Sequence, residues 1–183
     1  MSIFKNLFSA KIAKPTQKLF TIGPVQMYDS TLEIRSTQLP YFRTDSFSNT
    51  IKKCDDLLKD LIGENKNSKI IYLTSSGTGA MSATVSNFIS NKDRVLIINS
   101  GNFGERICKI CDTLNIEFDQ INVKFNKNLD LKLLNNYLGI KYKAVFVVAN
   151  ETSTGYLADL SSISLFCKEN NSLLIVDAIT TFL

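Results

Sequence analysis

The 183-residue sequence has no histidine and no tryptophan, only three prolines and eight glycines. The absence of histidine excludes the most chemistry. Imidazole metal sites, Ser-His-Asp or Cys-His nucleophile pairs and histidine general bases cannot be assembled from this chain alone. Acid–base work must fall to Asp, Glu, Lys, Tyr, Cys or a bound cofactor. The low glycine and proline content excludes collagen-like and elastic repeats, and 44% hydrophobic residues exclude a disordered chain. No stretch approaches the roughly 18 consecutive apolar residues of a spanning helix, so integration into a membrane is not expected.

Charge is nearly as uninformative about polyanionic partners. The net charge is +4, and Lys5, Lys11, Lys14 and Lys18 account for all of it, so the positive excess belongs to a tail at residues 1–18 and argues against nucleic acid. That tail lacks the long apolar run and small-residue cleavage site of a secretory signal. Ile3, Phe4, Leu7, Phe8 and Ile12 in it fit either a short membrane-surface helix or an extension that packs on a partner subunit. Cys108-Lys-Ile-Cys111 is formally a C-x-x-C, yet it has no second pair for zinc and no helix start to activate a thiol. Its apolar-periodic neighbours Phe103, Ile107, Ile110 and Leu114 predict buried, reduced thiols, as in a cytoplasmic protein, with no metal site.

From residue 45 onward helical and strand patterns alternate. Asp45 is predicted to cap a helix carrying Phe47, Ile51, Cys54, Leu58 and Leu61 and stopped by Gly63. Strands are expected at 69–74, 94–98, 116–118, 143–148 and 172–176. Helices are expected at 80–89, 103–114, 130–138 and 159–169. Strands apolar on both parities and separated by helices mean βαβ units, hence an α/β fold with a mostly parallel sheet and helices on both faces. In such sheets ligands bind beyond the carboxyl ends of the strands.

Four such ends stand out. Ser75-Ser-Gly-Thr-Gly79 opens a helix and is either a phosphate cradle of backbone N–H groups and hydroxyls or an ordinary turn. Asn99-Ser-Gly-Asn-Phe-Gly-Glu-Arg106 sets an aromatic between two glycines, where the ring either stacks on a flat ligand or folds into the core. Asn150-Glu-Thr-Ser-Thr-Gly155 is a polar turn. Asp177 ends an apolar strand, where a carboxylate needs a cation, donors or a helix to cap.

Taken together, Phe20-Thr-Ile-Gly-Pro24, Ser76-Gly-Thr78, Asn102-Phe-Gly-Glu-Arg106, Asn150-Glu-Thr-Ser-Thr-Gly155 and Val176-Asp177-Ala178 resemble the class V, fold-type I pyridoxal-phosphate aminotransferases. The likeness is greatest to the alanine/serine–glyoxylate and 2-aminoethylphosphonate–pyruvate enzymes. It implies that Ser76, Gly77 and Thr78 hold the phosphate of pyridoxal 5'-phosphate, that Phe103 stacks on the ring and that Thr152 bonds the ring hydroxyl. Asp177 would pair with the ring nitrogen, which keeps that nitrogen protonated and the ring an electron sink. Arg43, in Pro40-Tyr-Phe-Arg-Thr44, matches a family arginine near the substrate, although Phe42 stands where a histidine is common.

The resemblance further implies a small amino acid or aminophosphonate donor, a 2-oxo acid acceptor and a homodimer when full length. None of the seventeen lysines occupies the position of the Schiff-base lysine, and the small domain with its substrate-gripping arginine has no counterpart. Residues 19–183 are therefore expected to be an incomplete large domain, inactive alone. Strand 69–74 is expected to lack the neighbour it has in the family and to leave an exposed apolar edge. Three other readings stay open: a non-catalytic remnant or binding module of the same fold, a desulfurase or lyase of the same class, and a nucleotide-binding domain. Desulfurases stack a histidine, absent here; a nucleotide domain would carry an acid where Asn99 stands.

Overall fold

The structure is a computed structural model that describes residues 17–63 and 67–182. All but two residues of the basic tail lie outside the described residues. The chain divides into two compact units, residues 1–71 and 72–183.

In the first unit, helix α1 spans Asp29–Arg35 and helix α2 spans Asp45–Leu61. The sequence reading gave the cap of α2 to Asp45, but it is Thr44 whose Oγ1 accepts from the Phe47 N–H at 3.2 Å. Asp45 is instead the first helical residue, where its charge favours the helix dipole. The predicted stop is present: Gly63 adopts φ +67° and its N–H donates to the Asp60 carbonyl at 3.2 Å, a left-handed turn that costs glycine little.

In the second unit, helix α3 (Gly77–Phe88) leads to strand β1 (Arg94–Asn99), helix α4 (Asn102–Thr113) and strand β2 (Glu117–Asn122). A 3-10 helix at Leu131–Tyr137 precedes strand β3 (Ala144–Val148). A two-residue-per-strand hairpin follows, β4 (Asn150–Glu151) with β5 (Tyr156–Leu157), and then helix α5 (Leu160–Glu169) and strand β6 (Leu173–Asp177). The four long strands form one all-parallel sheet in the order β2-β1-β3-β6. Alternate residues of β1 and β3 face opposite sides. Val95, Ile97, Ala144 and Phe146 meet Val85 of α3 and Ile107, Cys108 and Cys111 of α4. Leu96, Ile98, Val145 and Val147 meet Ile163, Phe166 and Cys167 of α5, with Leu134 and Tyr142. Two cores, one on each face, are why these strands are apolar at every position. The predicted helix 130–138 is present but wound as a 3-10 segment, and β2 runs longer than the three residues expected.

The expected strand at 69–74 does not form. Residues 68–73 have no regular structure, and Ile71, Tyr72 and Leu73 are 76%, 52% and 50% exposed. Apolar composition makes a strand only where another strand offers hydrogen bonds, and none of the four strands pairs with this segment.

At the opposite, amino-terminal end of the sheet, Asp119 accepts from Arg94 Nη2 at 2.7 Å and from the Tyr142 hydroxyl. Partial burial would raise the Asp119 carboxyl, but those two donors outweigh it and hold it below the usual carboxylate range.

Candidate functional site

The carboxyl ends of β1, β3 and β6 gather the turns singled out in the sequence. Ser76 begins α3 as its cap, its Oγ accepting from the Gly79 N–H at 3.2 Å. A Cβ on Gly79 would collide with Ser75 Oγ, so a larger residue there would require the Ser75 side chain to turn away. The N–H groups of Gly77 and Thr78, at the first two positions of the helix, have no acceptor among the described residues. Free first-turn amides and a positive helix end are the ingredients of an anion cradle.

Gly77 and Asp177 line one cavity of about 290 Å³. Its walls are apolar side chains of α3, α4, β3 and β6, among them Met81, Ile107, Phe146 and Ile175. Asp177 is half-buried at the end of β6; its Oδ1 accepts from the Ile179 N–H at 3.1 Å, while no described residue donates to Oδ2. The local turn therefore uses one oxygen and leaves the other to the cavity side of the sheet.

Phe103 sits in the first turn of α4, half-buried and packed against the core. The Arg106 guanidinium carbon lies 5.0 Å from its ring centroid, and Arg106 Nη1 donates to Thr78 Oγ1 at 2.8 Å. Phe103 and the Ser76–Thr78 turn are thus joined through one side chain. Thr152 is half-buried at the crest of the polar turn, with no hydrogen-bond partner for its hydroxyl among the described residues. Arg43 belongs to the first unit, where its Nη1 donates to the Tyr41 hydroxyl at 3.4 Å and its guanidinium stands 4.7 Å from the Phe42 ring.

Two residues went unnoticed in the sequence as parts of this site. Glu151 is fully buried, and its Oε2 accepts from the N–H groups of Phe103 at 3.0 Å and Gly104 at 3.2 Å. Its Oε1 accepts from the Ser153 N–H at 3.2 Å and the Ser153 hydroxyl at 2.6 Å. Ser153 Oγ in turn accepts from the Asn102 N–H at 3.0 Å, and the Thr154 hydroxyl donates to the Ser100 carbonyl at 2.9 Å. The polar turn after β3 is therefore the cap of α4, supplied from outside the helix. Gly101, the formal cap residue, has no side chain to offer, and a Cβ there would lie 2.6 Å from Glu151 Cγ. No local spacing could have signalled this. Arg106 carried a weak signal, since a residue three positions after Phe103 shares its face of the helix.

Asn99, where a nucleotide-binding domain would carry an acid, is 9% exposed and spent locally, donating to Glu105 Oε2 and accepting from the Gly101 N–H. All four thiols are free; Cys108 and Cys111 are buried as predicted, Cys167 is buried too and Cys54 is half-buried, and burial pushes Cys108 up to about 12 and Cys111 and Cys167 up to about 11. Among the described residues no group of His, Cys, Asp or Glu could hold a metal ion, and no helix is long and apolar enough to cross a membrane.

A family model described as aminotransferase class-V matches residues 38–183. The chain belongs to the class-V aminotransferases. This class-V aminotransferase chain is 33% identical over 175 residues to an uncharacterized aminotransferase of Methanocaldococcus jannaschii, covering 93% of the chain and 44% of that relative. It is 32% identical over 164 residues to the soluble hydrogenase 42 kDa subunit of Anabaena cylindrica, covering 87% of the chain and 42% of the relative. In fold it is similar to the ureidoglycine–glyoxylate aminotransferase of Bacillus subtilis, with a TM-score of 0.86 at 24% identity over 94% of the chain and 44% of that structure. The class-V aminotransferase chain thus spans less than half the length of the relatives it matches.

Proposed function

We propose that this chain supplies the cofactor-holding part of a pyridoxal-phosphate-dependent aminotransferase. The observation that carries the reading is the shared cavity, lined both by Gly77, whose helix-start amide is unused, and by Asp177, a strand-end carboxylate with an unused oxygen. At about 290 Å³ it sits near the lower end of small-ligand pockets, roughly 300–1,000 Å³, and its apolar walls suit a flat heterocycle. Of the residues assigned on the resemblance, Gly77 and Asp177 line this cavity and suit the group's anionic and cationic ends, whereas Ser76, Thr78, Phe103 and Thr152 are not among its lining residues.

In this reading Ser76, Gly77 and Thr78 receive the phosphate, whose negative charge matches the amides and dipole of α3. Phe103 covers one ring face and Thr152 donates to the ring hydroxyl. Asp177 holds a proton on the ring nitrogen by charge attraction in a partly dry site, and its bond from Ile179 fixes the carboxylate's orientation. The bound cofactor supplies the electron sink for bond-breaking at the donor's α-carbon. The apolar cavity walls keep water from competing for the ring nitrogen's proton. Arg43 is assigned, on the resemblance alone, to substrate binding.

We assign residues 19–183 to the large domain, with residues 1–18 as a basic arm. The donor class is a small amino acid or aminophosphonate and the acceptor a 2-oxo acid; the assembly is a homodimer in the cytoplasm, a compartment that suits four free thiols. The test has two arms. Equilibrium dialysis should find one pyridoxal phosphate held per chain, and a full-length protein that carries the Schiff-base lysine should transfer nitrogen from alanine or 2-aminoethylphosphonate to glyoxylate or pyruvate. Failure of the chain to hold the cofactor overturns the reading; binding by the full-length protein without transfer with any pair replaces it with a non-catalytic binding module.

A further inference from the structure

The Ser75–Gly79 turn contains no charged residue, whereas a phosphate dianion is best held where a cation balances it. Arg106 reaches this turn from another helix. Its Nη1 donates to Thr78 Oγ1 at 2.8 Å and its guanidinium lies 5.0 Å from the Phe103 ring centroid. Glu105, the adjacent acid, is engaged elsewhere: it accepts from Asn99 Nδ2 at 3.1 Å and lies 4.0 Å from Lys109 Nζ. No carboxylate among the described residues pairs with Arg106.

An unpaired guanidinium held at two points is a pre-organised positive charge. Five N–H donors lie in its plane, one is spent on Thr78, and an aromatic face offers no lone pair to take another. The remaining donors have no hydrogen-bond acceptor among the described residues, and Thr78, which takes the first, stands in the opening turn of α3. Hydroxyl, amides and guanidinium together form a donor set for a tetrahedral anion, and the ring contact ties that set to the aromatic on which the rest of the ligand would lie.

We propose that Arg106 supplies the positive charge of the phosphate-holding turn and, through its contact with the ring, positions Phe103 beside it. The proposal rests on the cofactor reading above and names a residue that reading did not use. Arg106 acts on the phosphate end of the ligand, so its loss is felt by phosphorylated ligands more than by their unphosphorylated counterparts.

The test uses 4-deoxypyridoxine phosphate, which lacks the aldehyde and cannot react with surface lysines, alongside 4-deoxypyridoxine and inorganic phosphate, each titrated calorimetrically. In Arg106→Gln the affinity for 4-deoxypyridoxine phosphate should fall about tenfold or more, as expected for loss of a charge-assisted contact, and that for 4-deoxypyridoxine about threefold or less. Arg106→Lys, which keeps the charge but not the planar fork, should fall between wild type and Gln. Inorganic phosphate should bind the wild type more weakly as salt rises, with a shallower salt dependence in Arg106→Gln.

Equal loss for both pyridines, or less than about a twofold change for the phosphorylated one, overturns the proposal. Should Arg106→Gln fail to fold by its thermal transition, Arg106→Lys and Thr78→Val carry the test, and unchanged affinity for the phosphorylated pyridine in both overturns it. A wild type that binds inorganic phosphate but neither pyridine ends the cofactor reading alone; the Arg106 proposal then stands or falls on whether Arg106→Gln loses the phosphate. A wild type that binds no phosphorylated ligand ends both.

Discussion

The Glu151 carboxylate and the Phe103 amide meet at 3.0 Å across 48 residues of chain, so the turn after β3 is the cap of the helix after β1. Glu151 has no exposed surface and takes four donor contacts, which is what a buried carboxylate needs to offset its lost hydration. Glu151→Gln would put an amide N–H₂ against donors it cannot accept from. We expect a loss of about 2–4 kcal/mol in urea unfolding, as for a broken buried polar network, with the slope of the transition unchanged.

Gly104 is a second point of close approach. A Cβ at this position would lie 2.7 Å from Asn99 Oδ1 and 2.9 Å from the Asn99 Cα, and the second of these is backbone that cannot rotate away. Gly104→Ala should destabilise the protein by about 1–3 kcal/mol, the usual cost of overpacking, despite the better helix propensity of alanine. An unchanged thermal midpoint would contradict the geometry.

Much of this was legible in the sequence. Doubly apolar strands at β1 and β3, the buried thiols and the stop at Gly63 all follow from local pattern, because burial on both faces and a left-handed turn leave composition no other choice. The turns after β1, β3 and β6 could be located because a parallel sheet puts the carboxyl ends of its strands on one side, whereas the Ser75–Gly79 turn follows no strand and showed only by its glycines and hydroxyls. What was hidden was non-local. Glu151 and Arg106 act on segments 48 and 28 residues away, distances that leave no periodicity to detect, and although the missing neighbour of residues 69–74 was expected, their composition could not show that without it they form no strand. The cap of α2 shifted from Asp45 to Thr44 because either type can cap, and only the backbone decides which lies outside the helix.

Asp177 separates binding from chemistry. Asp177→Asn keeps the size and one acceptor for the Ile179 N–H but loses the charge that holds a proton on the ring nitrogen. Cofactor retention should change little, while turnover of the full-length enzyme falls by roughly 10²-fold or more, the scale of a lost proton-holding group. Turnover equal to wild type in a full-length Asp177→Ala enzyme would remove the carboxylate from the reaction.

The thiols offer a check on the core. Cys108, Cys111 and Cys167 are buried and their thiols are pushed up to about 12, 11 and 11, so they stay protonated and shielded at pH 8. Only half-buried Cys54 should react promptly with a disulfide reagent, and all four should react after unfolding. Fast labelling of more than one thiol in the native protein would mean the α4 face is open.

Acid should loosen the amino-terminal end of the sheet through Asp119. Burial opposes its charge, but the Tyr142 and Arg94 donors hold its carboxyl below the usual carboxylate range. The sign follows: a depressed carboxyl stabilises the fold above its unfolded value and loses that contribution as pH falls through its lower folded value. Stability from urea titrations between pH 6 and pH 3 should decline in wild type. Tyr142→Phe should be about 1 kcal/mol less stable at pH 6, the scale of one net hydrogen bond, and the difference should narrow toward pH 3.

The Glu151 cap also has a consequence in time. As the polypeptide emerges from the ribosome, α4 and its aromatic leave the exit tunnel well before the carboxylate that completes their first turn. Until then the Phe103 and Gly104 amides have only solvent to bond. The nascent first turn of this helix is therefore provisional, and it locks only when the third parallel strand has been translated and laid against the first.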